Sequence, residues 1–80
     1  MFKFGVRILP RAEVLDTQGR AVEATLRSQG HPIVNCKVGR FVTLTVEAAD
    51  KTQAQAIVKK VSEDVLCNML IESYEIEVLP

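Results

Sequence analysis

The stretch IVNCKVGRFVTLTVE, residues 33–47, decides the fold. In its first half Val34, Cys36 and Val38 alternate with Asn35 and Lys37; in its second half Val42, Leu44 and Val46 alternate with Thr43 and Thr45. Alternation with period two sends apolar groups to one face and polar or β-branched groups to the other, the pattern of a half-buried strand. Gly39-Arg40 is a candidate for a short turn between the halves. The stretch therefore predicts two consecutive antiparallel strands in the middle of the chain.

Toward the N-terminus, Met1 to Leu9 alternates in the same way, with Phe2, Phe4, Val6 and Ile8 on one side and Lys3, Gly5, Arg7 and Leu9 on the other. Pro10 ends that strand. Asp16 is placed to accept hydrogen bonds from the first free amides of a helix, and Gly30 to stop it. Along this helix Val22 and Leu26, with Ala21 and Thr25 beside them, make a narrow apolar stripe that predicts packing on a sheet. Toward the C-terminus, Asp50 can cap a second helix whose apolar positions are Ala54, Ile57, Val58, Val61, Val65 and Leu66. A last strand follows through Tyr74, Ile76 and Val78, with Glu75, Glu77 and Leu79 on its reverse side.

The order is βαββαβ. With right-handed crossovers it predicts an α+β, ferredoxin-like single domain spanning residues 1–80. The four-stranded antiparallel sheet would have the order 4-1-3-2, counting strands along the chain, and both helices would lie on one face. In that order the edge strands leave backbone groups unpaired. The edge over Ile33–Val38 has no internal proline and a single charge, Lys37, to discourage pairing, so self-association through an edge or through the open sheet face is expected.

Composition narrows the function classes. The 80 residues are 48% hydrophobic and 25% charged, a globular balance, with 10 basic and 10 acidic side chains. A core this small leaves little volume for a deep pocket, which disfavours a self-contained enzyme. No apolar run exceeds three residues, whereas a membrane helix needs about 20, so the expectation is a cytoplasmic protein with no membrane contact. Cys36 and Cys67, 31 positions apart and without clustered histidines, read as small core residues. His31, the lone histidine, lies between Gly30 and Pro32 with nothing to complete a catalytic or metal set. The glycines at 5, 19, 30 and 39 are too scattered for a phosphate loop. Gly39-Arg40-Phe41-Val42 is a weak match to an RNA-recognition strand, but only Phe41 could stack and a neutral chain lacks the charge for nucleic acid.

Charge is unevenly spread. Residues 1–40 carry seven basic and three acidic groups (+4) and residues 41–80 three and seven (−4). The predicted sheet offers a reason, because it makes the first and last strands neighbours and sets Lys3 and Arg7 on the same face as Glu75 and Glu77. The residues alone describe an oligomeric α+β module with no visible catalytic equipment. A metabolite-binding regulatory domain acting as a dimer is compatible with that description.

Val14-Leu-Asp-Thr-Gln-Gly-Arg-Ala-Val22, then Leu26, Gly30 and Val38-Gly39-Arg40, then Leu66-Cys-Asn-Met-Leu-Ile-Glu-Ser-Tyr74 resemble the PurS family, the small subunit of bacterial phosphoribosylformylglycinamidine synthase. The likeness covers essentially the whole chain. It departs at Thr17, usually proline, at Cys67, usually alanine, and at Arg40, often lysine. The resemblance implies a non-catalytic subunit that bridges a large synthetase and a glutaminase and supports ammonia transfer to formylglycinamide ribonucleotide in purine synthesis. It also implies a homodimer or homotetramer with no cofactor of its own, ATP and magnesium being used by the large partner. Candidate partner contacts are Asp16, Gln18 and Arg20 at the start of the first helix, Lys37 and Arg40 at the predicted hairpin, and Asn68, Glu72 and Tyr74 where the last strand begins. Asp16 reads equally as a helix cap, and Tyr74 as a ring buried against the helices. On this reading Arg40→Glu weakens assembly without unfolding the subunit.

Overall fold

Three strands form, in a computed structural model that describes residues 1–80. They are β1 (Phe2–Pro10), β2 (Arg40–Val46) and β3 (Glu72–Leu79). The helices are α1 (Thr17–Ser28) and α2 (Lys51–Val61), and a π-helical turn, Ser62–Leu66, continues α2. The sheet is antiparallel with order β2-β1-β3. Phe4 lies opposite Leu44 on one side and Val78 on the other, so Phe2, Phe4, Val6 and Ile8 share a face with Val42, Leu44, Val46, Tyr74, Ile76 and Val78.

The caps are where sequence chemistry requires them. Asp16 accepts from the Gly19 amide at 2.8 Å and Asp50 from the Gln53 amide at 2.7 Å. Gly30, with φ 88°, ends α1, as the Gly30 and His31 amides bond back to the Arg27 and Leu26 carbonyls. α2 lies over β1 and β2. Beneath it Phe4, Val6 and Ile8 are wholly buried with Ala54, Val58 and Ser62, and Cys67 closes one end. The widening at Ser62, whose hydroxyl bonds the Val58 carbonyl at 2.7 Å, lets the helix end under Cys67 and turns Val65 outward.

Two features of the expected fold are overturned. First, the sheet has three strands, not four in the order 4-1-3-2, because Ile33–Val38 forms no strand. Its polar backbone groups are taken locally: Arg27 donates to the Ile33 and Val34 carbonyls at 2.7 and 2.9 Å, and the Val38 amide donates to Asp16 at 3.0 Å. The hairpin is missing too, since a two-residue turn of the favoured type needs positive φ at its central residues and only Gly30 has one. Gly39 instead runs against β1, where an added Cβ would sit 2.1 Å from the Ile8 carbonyl oxygen.

Second, α1 does not share the sheet face with α2. It makes no extensive contact with the sheet or with α2, Gly19 is its one buried residue, and the stripe Ala21, Val22, Thr25 and Leu26 lines a shallow open groove. The molecule is correspondingly long, 51 × 27 × 14 Å with a radius of gyration of 15.8 Å, where a compact chain of this length has about 12 Å. The alternation at 33–38 and the stripe of α1 predict faces held against the sheet, whereas Val34 and Val22 stand exposed.

The open face of the sheet follows expectation in its charges. Arg7 reaches Glu77 at 3.0 Å and Glu75 at 3.5 Å. Its guanidinium carbon stands 5.7 Å from the centre of the Phe41 ring, and that ring lies over Gly5, where a Cβ would be 2.3 Å from it.

Candidate functional site

Three stretches meet at one end of the sheet: Pro10 to Gln18 leaving β1, Asn35 to Arg40 returning to β2, and Leu66 to Glu72 leading into β3. Asp16 joins the first two. One carboxylate oxygen takes the Gly19 amide and the other the Val38 amide, and those two bonds, Gly19 first, hold its pKa below the usual carboxylate value.

Arg40 and Glu72 join the second and third stretches. Arg40 lies opposite Ile8, and Glu72 opposite Pro10, on the face that carries α2. Their side chains meet across β1 in a two-pronged ion pair at 2.9 and 3.0 Å, and Arg40 also donates to the Leu66 carbonyl at 2.9 Å. Glu72 accepts further from the Asn68 amide at 2.8 Å. Arg40, then that amide, lower the Glu72 pKa, while Glu72 raises that of Arg40. Burial raises the Cys67 thiol. Asn68 shapes the turn, its side-chain oxygen accepting from the Leu70 amide at 3.1 Å.

Two clefts open beside this knot, one on each side of Val14–Asp16. Asp16, Gln18, Arg40 and Glu72 line one of ≈ 260 Å³ together with Leu15 and Ile71. Asp16, Arg20 and Lys37 line the other, of ≈ 270 Å³, with Arg11, Glu23 and Cys36. The structure thus gathers six of the eight candidate contacts around the start of α1. Asn68 belongs to the adjoining turn. Tyr74 is separate: it faces the helix layer and donates to Glu63 at 2.7 Å, a bond that, with burial, pushes its pKa up to about 12.

Asp16, Arg40, Glu72 and Tyr74 spend their hydrogen-bonding capacity inside the chain, whereas Gln18, Arg20 and Lys37 have exposed side chains with no intrachain ion pair. Arg11 and Glu63 were missed. Arg11 holds the turn before β3 through the Met69 carbonyl at 3.2 and 2.9 Å; no spacing in the sequence announces either long-range pairing. His31 is exposed beyond α1, and no three His, Cys, Asp or Glu side chains group as metal ligands. No helix is long and apolar enough to cross a membrane.

The same scaffold recurs among known proteins. The family model for PurS, phosphoribosylformylglycinamidine (FGAM) synthase, matches residues 3–80. The phosphoribosylformylglycinamidine synthase subunit PurS of Thermotoga maritima is 38% identical over 80 residues, 99% of this chain and 98% of the relative. The corresponding subunit of Bacillus subtilis is 34% identical over 79 residues, 98% and 93% of the two chains. A chain in the structure of PurLQS from Thermotoga maritima superposes with a TM-score of 0.91 at 38% identity, covering 98% of this chain and 96% of that one. With the match running through β1, the Asp16 knot, the Arg40–Glu72 clasp and β3 alike, the chain belongs to the PurS family of phosphoribosylformylglycinamidine synthase.

Proposed function

We propose that this chain is the small, non-catalytic subunit of phosphoribosylformylglycinamidine synthase and docks the glutaminase to the large synthetase. The observation that carries this reading is the end-to-end likeness to PurS chains, including one that is part of a PurLQS structure. The physical requirement is that ammonia released by a glutaminase must reach the second active site before water protonates and dilutes it, which asks for a scaffold holding two enzymes in register. ATP and magnesium would bind the synthetase, and the assembly would work in the cytoplasm. Gln18, Arg20 and Lys37 are the contacts available to a partner.

The scaffold is itself a homo-oligomer on this reading, a dimer or a pair of dimers, and the uncovered parts of the chain suggest how. The outer edge of β2 is unpaired, and the segment 33–38 of a second copy has the alternation to fill it. α2 leaves the β3 side of its layer open, with Val78 46% exposed, and the stripe of a second copy's α1 is apolar enough to occupy it.

Sedimentation of the chain with the synthetase and glutaminase of its own organism tests the reading. A single species containing all three is expected; a small subunit that sediments apart from both would remove it.

A further inference from the structure

Resting on the docking role proposed above, we infer that the cleft between the start of α1 and residues 35–37 receives an acidic segment of one of the two enzymes. Four of the ten basic side chains, Arg7, Arg27, Arg40 and Lys60, have a carboxylate partner within the chain. Of the six that have none, Arg11, Arg20 and Lys37 line this one cleft of ≈ 270 Å³. They reach it from three segments: the chain leaving β1, the first turn of α1 and the chain returning to β2.

The two carboxylates of the cleft are committed elsewhere. Asp16 gives one oxygen to the Gly19 amide and the other to the Val38 amide, and Glu23 lies 3.7 Å from Arg27, one helical turn along. Arg11 is fixed in place without losing its charge, because its Nε and Nη2 groups donate to a neutral acceptor, the Met69 carbonyl. A cation already held in one rotamer costs less ordering when a carboxylate meets it. Cations gathered at a concave surface also focus their field into it and raise the rate at which an opposite charge arrives. The border of the cleft favours a protein over a small free anion. Leu15 lines it and is 63% exposed, and Leu70, in the turn that Arg11 holds, is 87% exposed. A protein surface covers such apolar groups together with the cations, whereas a small anion leaves them in water.

The test measures the association rate of the chain with the synthetase and glutaminase of its own organism, singly and mixed, by surface plasmon resonance over a range of salt. Arg20→Glu with Lys37→Glu is the main variant. Neither side chain has an intrachain ion pair to lose, and an acid in the first turn of α1 suits the helix dipole, so the fold is retained, as circular dichroism checks. Association with one enzyme is expected to slow by about tenfold or more at low salt. The gap to wild type closes as the screening length falls to about 3 Å at 1 M salt. R20Q/K37Q, which adds no acid, must slow association in the same direction. K3E/K51E, the same charge change at the opposite end of the sheet, must keep the wild-type rate. A wild-type rate for R20E/K37E overturns the acidic-partner inference and leaves the docking role intact. Equal slowing by K3E/K51E reduces the effect to net charge and overturns the inference likewise. Altered self-association of R20E/K37E in sedimentation assigns the cleft to a second copy and overturns it too. A wild-type chain that binds neither enzyme, singly or mixed, overturns the inference and the docking role together.

Discussion

Replacing Arg40 by Glu is expected to destabilise the fold, contrary to what an exposed hairpin charge would do. Arg40 makes two hydrogen bonds to Glu72 and one to the Leu66 carbonyl, and the Glu72 side chain is only 15% exposed, against 52% for Arg40. Hydrogen bonds to charged groups contribute about 1.5–3 kcal/mol each when buried, and exposed ion pairs about 0–1 kcal/mol. A clasp with one largely covered and one half-exposed partner falls between these limits. Arg40→Ala should therefore cost about 1–2 kcal/mol, and Arg40→Glu about 2–3 kcal/mol, since it sets a second carboxylate against Glu72. For a domain of this size each kcal/mol lowers the melting temperature by about 4–8 °C. Arg40→Lys should recover only part of the loss because an ammonium cannot reproduce the two-pronged contact. Urea unfolding of R40A, E72A and the double variant gives the coupling directly, expected at about 1 kcal/mol. Wild-type stability of R40E together with zero coupling would refute the clasp and return Arg40 to the partner surface.

Further predictions concern the same end of the sheet. Gly19→Ala should destabilise by about 1–3 kcal/mol despite the better helix propensity of alanine, because the new Cβ would come within 2.3 Å of Asp16 and 2.5 Å of the Cys36 carbonyl; a thermal melt at or above the wild-type value would contradict this. The lowered pKa values of Asp16 and Glu72 give stability that is present above their ordinary values and lost as pH falls through the depressed ones. Acid titration of wild type and E72Q should therefore converge as the pH falls below the ordinary carboxylate range, and parallel curves would speak against the pairing. Tyr74 has the opposite sign: its contribution is present below pH 10 and lost as pH rises through about 12, so Tyr74→Phe should remove part of the alkaline loss of stability, as read by fluorescence-free circular dichroism melts.

Much of the fold was legible because it is written in local chemistry. The alternation in β1, β2 and β3, the caps at Asp16 and Asp50 and the stop at Gly30 all act within a few residues, and the cross-strand pairing of Arg7 with Glu75 and Glu77 follows once β1 and β3 are neighbours. Ile33–Val38 and α1 depart from the expected sheet for one shared reason. Periodicity reports that a face is apolar but not which chain covers it, and here Val34 is 84% exposed. Residue type marks the candidate site, and the hydrogen bonds of Asp16, Arg40 and Glu72 run within the chain. Asp16, Arg40 and Glu72 stood out as charged groups near chain reversals, but their commitment to Val38 and to each other depends on contacts 22 and 32 residues apart in sequence, which no motif encodes.

The proposed role is coupling of two enzymes by a subunit that performs no chemistry. Its most direct test is an add-back assay with the synthetase and glutaminase of the same organism, measuring product formation with glutamine and, separately, with ammonia as nitrogen source. Addition of this chain is predicted to raise the glutamine-dependent rate and leave the ammonia-dependent rate unchanged. Equal glutamine-dependent rates with and without the chain would contradict the claim.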